Sequence, residues 1–370
     1  MEFTVNKNDL VRELSLSQGV VEKKTTIPSL SHVLIEGKGG RIELTATDLE
    51  LGVRSSCTAK VSKDGSVCVP AKKLLDYVRL LDDGDLAIKA QENHWIQITY
   101  KRSRTRMVGM SRESFPVLPS QPEKQAEIPC GVLGSMIART VFAISSEESR
   151  YTLNGALLVV KPDSLSMVAT DGYRLAHVER ASSAGVASEV RALVPKKAML
   201  EIQKLLAEAA PDATLEFAKS DTHLFFRVGH RLLASQQLSG HFPSYEAVIP
   251  KDNDKTVQVD RTEFTNVVRR VAQFADERTR AIRMSVSEPD QVKLSASSSD
   301  LGESEETLEA PYHGPTIDVG FNAQYLLDFL STPGAAKVNI DLKDDQSAGL
   351  LRPVEEDGDN YRYVLMPMRI

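Results

Sequence analysis

Two aspartates stand in the same local setting. Ala46-Thr47-Asp48-Leu49 and Ala169-Thr170-Asp171-Gly172 each place a carboxylate at the end of a run that reads as a strand. Such a group can serve as a general acid or base. It can equally accept backbone N–H groups in a turn. Recurrence favours the turn, because an acid in every repeat does not suit an asymmetric substrate. Nothing nearby completes a catalytic set: there is no GxSxG, P-loop, HExxH or dinucleotide fingerprint. The seven histidines are scattered without ligand spacing. Cys57, Cys68 and Cys130 are an odd number without a CxxC, and read as reduced packing residues. No catalysis, metal or cofactor is expected. A hydrolase acting through Asp48 or Asp171 is one rival reading, and a scaffold of tandem domains that binds no nucleic acid is another.

The cations form a better pattern. Lys72, Lys73 and Arg79 cluster in residues 71–81, and Lys196, Lys197 and Lys204 in residues 196–206. Lys72 and Arg79 are seven apart, as are Lys197 and Lys204, so each pair shares a helix face. Arg269 and Arg270 add charge to a third helix. One such face is ordinary for a solvated helix; recurrence at matched positions points to a surface that follows phosphates. No recognition helix, zinc finger or RNP aromatic motif suggests base reading. The net charge of −6 opposes nucleic-acid binding unless the cations are gathered on one surface. Two further blocks have opposite sign. Residues 101–106 hold Lys101, Arg102, Arg104 and Arg106; residues 300–309 hold Asp300, Glu303, Glu305, Glu306 and Glu309. Opposite blocks at the two ends of a chain suit head-to-tail association, which closes into a ring if the rotation closes.

Repeats must position these groups. Ala71-Lys72-Lys73-Leu74-Leu75-Asp76-Tyr77 matches Ala323-Gln324-Tyr325-Leu326-Leu327-Asp328-Phe329, and Val69-Pro70-Ala71-Lys72-Lys73 matches Val194-Pro195-Lys196-Lys197-Ala198. Phe115-Pro116 returns as Phe242-Pro243, and Asp48-Leu49 as Asp171-Gly172, with a weaker Asp300-Leu301. These markers share a period near the length of a domain, so the 370 residues form three similar copies, 1–125, 126–252 and 253–370. Each copy opens with an amphipathic helix. Its apolar face is Leu133, Met136, Ile137, Thr140 and Ile144 in copy two, and Phe264, Val267, Val268, Val271 and Phe274 in copy three. Asp260 with Glu263 forms a capping-box pattern for the latter. Two alternating strands follow, then a second helix near Pro70, Pro195 or Phe321, then more strands. The fold class is α+β, two helices on β-sheets in each copy. Pro-containing linkers at 115–122 and 242–250 separate the copies. No apolar run approaches the ~20 residues of a membrane span. The start, MEFTVNKNDL, has no apolar signal core, so a cytoplasmic protein is expected.

Along nearly its whole length the chain resembles the bacterial sliding-clamp family. The resemblance is carried by Met1-Glu2-Phe3-Thr4-Val5, Thr26-Ile27-Pro28-Ser29-Leu30, Leu153-Asn154-Gly155, Thr170-Asp171-Gly172-Tyr173-Arg174-Leu175, Gly320-Phe321-Asn322 and Met366-Pro367-Met368-Arg369-Ile370. It implies three DNA-clamp domains, dimerised head to tail into a ring around duplex DNA. It also implies a non-catalytic processivity subunit that tethers the DNA polymerase III alpha subunit, the clamp loader, and other polymerases and repair proteins through short peptides. Family DNA contacts fall on Lys24, Lys72, Lys196 and Lys197. The family's peptide pocket falls on Leu153, Thr170, Gly172, Tyr173, Arg174, Leu175, Pro243, Val248, Tyr325, Val364, Met366, Pro367, Met368 and Arg369. Met366 and Met368 suit a surface that adapts to several peptides, and Arg174 and Arg369 offer donors to them. The dimer interface is expected at Arg102, Arg104, Met107, Phe274, Glu303 and Glu306. Tyr173 stands where the family often has His, Ala247 where some members have Arg, and Gln273 where some are apolar; Thr105 and Met107 replace a more apolar pair.

Overall fold

The computed structural model describes residues 1–21, 25–354 and 358–369. Six α-helices run through them: α1 Lys7–Ser17, α2 Ala71–Arg79, α3 Cys130–Thr140, α4 Lys196–Ala207, α5 Arg261–Val271 and α6 Ala323–Leu330. They alternate in pairs with strands, as an α+β chain of repeats requires. Asn6 caps α1 by accepting the N–H of Asn8, and Asp260 caps α5 by accepting the N–H of Glu263 at 2.9 Å. Two helices stop earlier than their apolar faces suggest. After Thr140 and Val271 the chain tightens into 3-10 turns, Val141–Ala143 and Ala272–Phe274, which carry the faces onward. None of the helices among the described residues is long and apolar enough to cross a membrane.

The chain gathers into two compact units, and neither coincides with one repeat. The first comprises Met1–Gly134 and Lys197–Gln237. Its five-stranded antiparallel sheet runs Lys60–Lys63, Glu2–Asn6, Asp85–Ala90, Ile96–Tyr100, Ser103–Met107. Its eight-stranded sheet joins two repeats: Arg231–Gln236 of copy two pairs with Leu51–Thr58 of copy one, Leu232 opposite Arg54 and Ala234 opposite Gly52. The core beneath α1 and α2 holds Phe3, Leu10, Leu14, Ile35 and Leu74. A buried ion pair spans the same join. Arg231 donates to Glu13 through Nε (3.0 Å) and Nη2 (2.8 Å). Burial alone would raise the Glu13 pKa, but the Arg231 hydrogen bonds and charge, with His230, leave it lowered.

The second unit comprises Ser135–Lys196 and Leu238–Ile370. Its eight-stranded sheet again joins repeats. Arg174–Ala181 of copy two pairs with Asp359–Leu365 of copy three, Leu175 opposite Val364. A four-stranded sheet runs Gly302–Glu309, Gln291–Ser298, Ala281–Ser287, Ile317–Asn322. Its buried ion pair has the opposite polarity: Arg139 of α3 meets Asp359, the first residue of the joining strand.

Candidate functional site

The turn between Ser164–Thr170 and Arg174–Ala181 is built by its own side chains. Thr170 Oγ1 donates to the Arg174 carbonyl (2.6 Å) and accepts from Gly172 N (3.1 Å). Asp171 Oδ1 accepts from Tyr173 N and Arg174 N, both at 3.0 Å. Asp171 is thus a turn former. Asp48 does the same work, accepting from Glu50 N (2.9 Å) and Leu51 N (2.6 Å). Gly172 has φ of +90°, and a Cβ there would lie 2.9 Å from Arg150 Nη1. A side chain at this position is disfavoured by the backbone conformation and would also require the Arg150 guanidinium to shift.

Arg174 departs from the sequence expectation. It is 9% exposed, and its donors are already used. Nε bonds Asp171 Oδ2 (3.0 Å), Nη1 bonds Asp328, and Nη2 bonds the Phe142 carbonyl (2.7 Å). The guanidinium lies 4.2 Å above the Tyr325 ring. Burial opposes its charge, but Tyr363, Asp328 and Asp171 together hold its pKa above the ordinary arginine value. Arg174 therefore fixes the turn against α6, with Tyr325 as its platform. It is not a free donor for a ligand.

Beyond the turn the sheet surface is apolar. Leu175 and Val364, 3% and 1% exposed, are buried in one cluster with Leu157, Val168 and Leu193, and Tyr245 and Ile249 of the second linker cover them. The rim is open: Tyr173 is 52% exposed, Val248 47% and Met366 43%. Pro243 is exposed, and Leu153 is half-buried at the end of the loop that precedes Gly155–Val160. The chain's end is tied to this rim. Met366 N donates to the Tyr173 carbonyl at 3.0 Å, and Met368 N to the Gly320 carbonyl at 2.8 Å. Pro367 is half-buried between them, and Arg369 is exposed. Turn, linker and tail thus all contribute within the second unit, as the sequence predicts. Sequence reasoning missed Arg150, Phe142 and Asp328. Arg150 donates to the Asp171 carbonyl at 2.8 Å and stands 5.7 Å from the Tyr173 ring. Asp328 had a signal, since it matches Asp76 in the repeated helix; Arg150 and Phe142 had none.

The expected DNA contacts are on helices. Lys72, Lys73 and Arg79 are exposed on α2, and Arg79 donates to Ser15 Oγ at 3.1 Å. Lys196 is half-buried at the start of α4, where Lys197 and Lys204 are exposed. Arg269 and Arg270 are exposed on α5. Lys24 lies outside the described residues. Arg270 is already engaged: its Nε is 2.7 Å from Glu306 Oε1. That contact links a residue expected on DNA to one expected at the dimer interface, and it holds the Glu306 pKa low.

The two charged blocks lie on edge strands. Ser103–Met107 ends the five-stranded sheet with Arg104 and Arg106 exposed, and Arg102 sits in the turn before it. Gly302–Glu309 ends the four-stranded sheet with Glu303 exposed. Phe274 is half-buried in its 3-10 turn. Met107 corrects the sequence reading: it is 8% exposed and packs in the first unit's core. It stands opposite Ile96, so the strand's alternation turns it inward.

The chain matches three family descriptions in order. Residues 1–119 match the DNA polymerase III beta subunit N-terminal domain, 127–244 its central domain and 246–369 its C-terminal domain. The beta sliding clamp of Pseudomonas aeruginosa is 33% identical over 372 residues, covering 100% of both chains. That of Caulobacter vibrioides is 32% identical over 377 residues, again 100% of both. Among solved structures, the DNA polymerase III subunit beta from Pseudomonas aeruginosa superposes with a TM-score of 0.94 at 33% identity over the whole of both chains. A sliding clamp from Bartonella birtlesii bound to griselimycin does so at 0.93 and 34%.

Proposed function

The chain belongs to the bacterial DNA polymerase III beta-subunit family, the beta sliding clamps, and from that premise we propose how its own residues do the family's work. It is a DNA sliding clamp of replication, a processivity factor without catalytic activity. The repeats 1–125, 126–252 and 253–370 act as three clamp domains, and two chains close a ring in the cytoplasm by head-to-tail association. The basic edge Ser103–Met107 and the acidic edge Gly302–Glu309 supply that contact, because unpaired edges of opposite charge can extend one sheet into the next. Arg102 and Arg104 face Glu303 in this reading, and Glu306 contributes less because Arg270 already holds it. Duplex DNA passes through the ring along α2, α4 and α5. Contact is to phosphates, so binding to open DNA is weak and falls with salt.

The apolar rim around Leu175 and Val364 receives the short peptides of partners: the DNA polymerase III alpha subunit, the clamp loader, and other polymerases and repair proteins. The observation that carries this assignment is the bond from Met366 N to the Tyr173 carbonyl, which sets the chain's end beside the turn. A flexible thioether and an exposed aromatic then flank an apolar floor, a combination suited to varied extended peptides. Deleting residues 366–370 should abolish binding of a partner peptide in calorimetry and leave the dimer mass unchanged. Unchanged peptide affinity would refute the pocket, and loss of the dimer would make the tail structural.

A further inference from the structure

Helices α2 and α4 hold the same place in successive repeats, and their exposed cations fall in step. Lys72 and Arg79 on α2 match Lys197 and Lys204 on α4. Their surroundings differ. Among the described residues Lys72 has no ion-pair partner, and Arg79 meets the neutral hydroxyl of Ser15. On α4 both lysines are held by carboxylates. Lys197 Nζ bonds Asp48 Oδ2, and Lys204 Nζ lies 2.7 Å from Glu201 Oε1.

These carboxylates are not the loose partners of an ordinary surface pair. The Asp48 side chain is 4% exposed, and two backbone N–H groups pin its other oxygen. Glu201 is buried against α1's end, where Gly19 leaves it room; a Cβ at Gly19 would lie 2.0 Å from Oε1. Asp48 is fixed by these backbone bonds, and Glu201 is housed in the space beside Gly19. A phosphate at α2 meets a full positive charge. At α4 it meets a lysine already half-neutralised, which displaces fewer counterions on binding.

We propose that Asp48 and Glu201 set the strength of the clamp's hold on the duplex phosphate backbone, by neutralising in place the two cations that α4 turns to solvent. The hold is then graded along the chain: α2 grips phosphates and α4 lets them pass. This inference rests on the reading of α2 and α4 as DNA-facing.

The test is duplex binding by the full-length protein, followed by fluorescence anisotropy over a series of salt concentrations. Lys72→Ala should weaken binding several-fold and lower the salt slope by about one. Lys197→Ala should weaken it less than about twofold. Asp48→Asn, which keeps an oxygen for the two backbone N–H groups, should tighten binding by roughly threefold or more and steepen the slope. Glu201→Gln should act in the same direction. Equal losses for Lys72→Ala and Lys197→Ala would overturn the proposal, as would unchanged or weaker binding in Asp48→Asn. If neither lysine variant changes affinity, the DNA-facing assignment of the helices fails and the proposal falls with it.

Discussion

Thr47 Oγ1 donates to the Leu51 carbonyl at 2.9 Å and accepts from Leu49 N at 3.0 Å. Thr170 Oγ1 makes the same two bonds four residues and two residues on, and Asp48 and Asp171 each accept two backbone N–H groups. The two turns are one device used twice, each leading into the strand that joins its repeat to the next. They diverge at the next residues. Leu51 follows the first turn where Arg174 follows the second, and the floor pair is Gly52 opposite Ala234 rather than Leu175 opposite Val364. In the first unit the missing side chain at Gly52 is replaced by Leu118 of the chain's own linker, whose Cδ2 lies 2.4 Å from where a Cβ would stand. The first join is thereby filled from within. In the second, large residues make the floor, and the exposed Val248 and Met366 leave its rim open. A shared backbone motif thus yields a join filled by the chain's own linker in one unit and, in the other, a join bordered by exposed apolar side chains, where the peptide site is proposed.

The buried ion pairs give the largest expected effects. Arg174→Ala strands Asp171 and Asp328 beside a mostly apolar cluster and should lower stability by about 3–5 kcal/mol. Urea unfolding checks this, and peptide binding should be lost with it. Glu13→Gln breaks the other unit's buried pair and should destabilise to a similar degree without touching the pocket. Its contribution also has a pH signature. Glu13 is lowered from 4.5, so its stabilisation is complete above that value and is lost as pH falls through the depressed folded pKa. An acid titration of wild type and Glu13→Gln should therefore converge below pH 4.5. Parallel curves would count against the pair's role.

The next effect tests the sealed join. Gly52→Leu forces a side chain into space held by Leu118 and should cost about 1–3 kcal/mol. Leu118→Ala should leave a void and cost about 2 kcal/mol or less, since Leu118 is only half-buried. The double variant should recover part of both losses, because the new leucine at 52 fills what residue 118 vacates. Additive losses in a denaturant melt would show that the two residues do not share one space.

Much of this organisation was legible in the sequence. Repeat spacing suggested three copies, and the capping pattern at Asp260 located the start of α5, where Glu263 N bonds Asp260 at 2.9 Å. The linker residues Tyr245 and Ile249 pack with Leu175, and Met366 N bonds the Tyr173 carbonyl, contacts between segments that the sequence brought together. What escaped was long-range. The choice of Arg231–Gln236 as partner for Leu51–Thr58 is not encoded in either strand's own alternation. Nor does local pattern reveal that Arg174 spends its donors on Asp171, Asp328 and Phe142, or that Arg270 binds Glu306. Met107 was misjudged because a charged run masked its inward place on an edge strand.

The smallest effect concerns the third residue of each turn. Both need a positive φ, +81° at Leu49 and +90° at Gly172. A left-handed backbone costs a residue with a Cβ roughly 1–2 kcal/mol, which the first turn bears and the second avoids. Replacing Leu49 by Gly removes that strain but gives the unfolded chain more freedom, worth about 0.5–1 kcal/mol in the other direction. Leu49 is also half-exposed, so little apolar burial is lost. The net change should be a gain below about 1 kcal/mol. Gly172→Leu takes on the same strain and regains the same unfolded-state entropy, but it also meets Arg150 Nη1 at 2.9 Å, so it should destabilise by somewhat more than Leu49→Gly stabilises. Arg150 can yield, being the far end of a flexible side chain, so the strain should dominate over the clash. Paired urea melts of the two variants decide the matter. Equal and opposite shifts would mean that the turns differ only in strain. A larger loss at Gly172 would show that the second turn also needs an empty place beside Arg150, next to the rim where the partner peptide is proposed to bind.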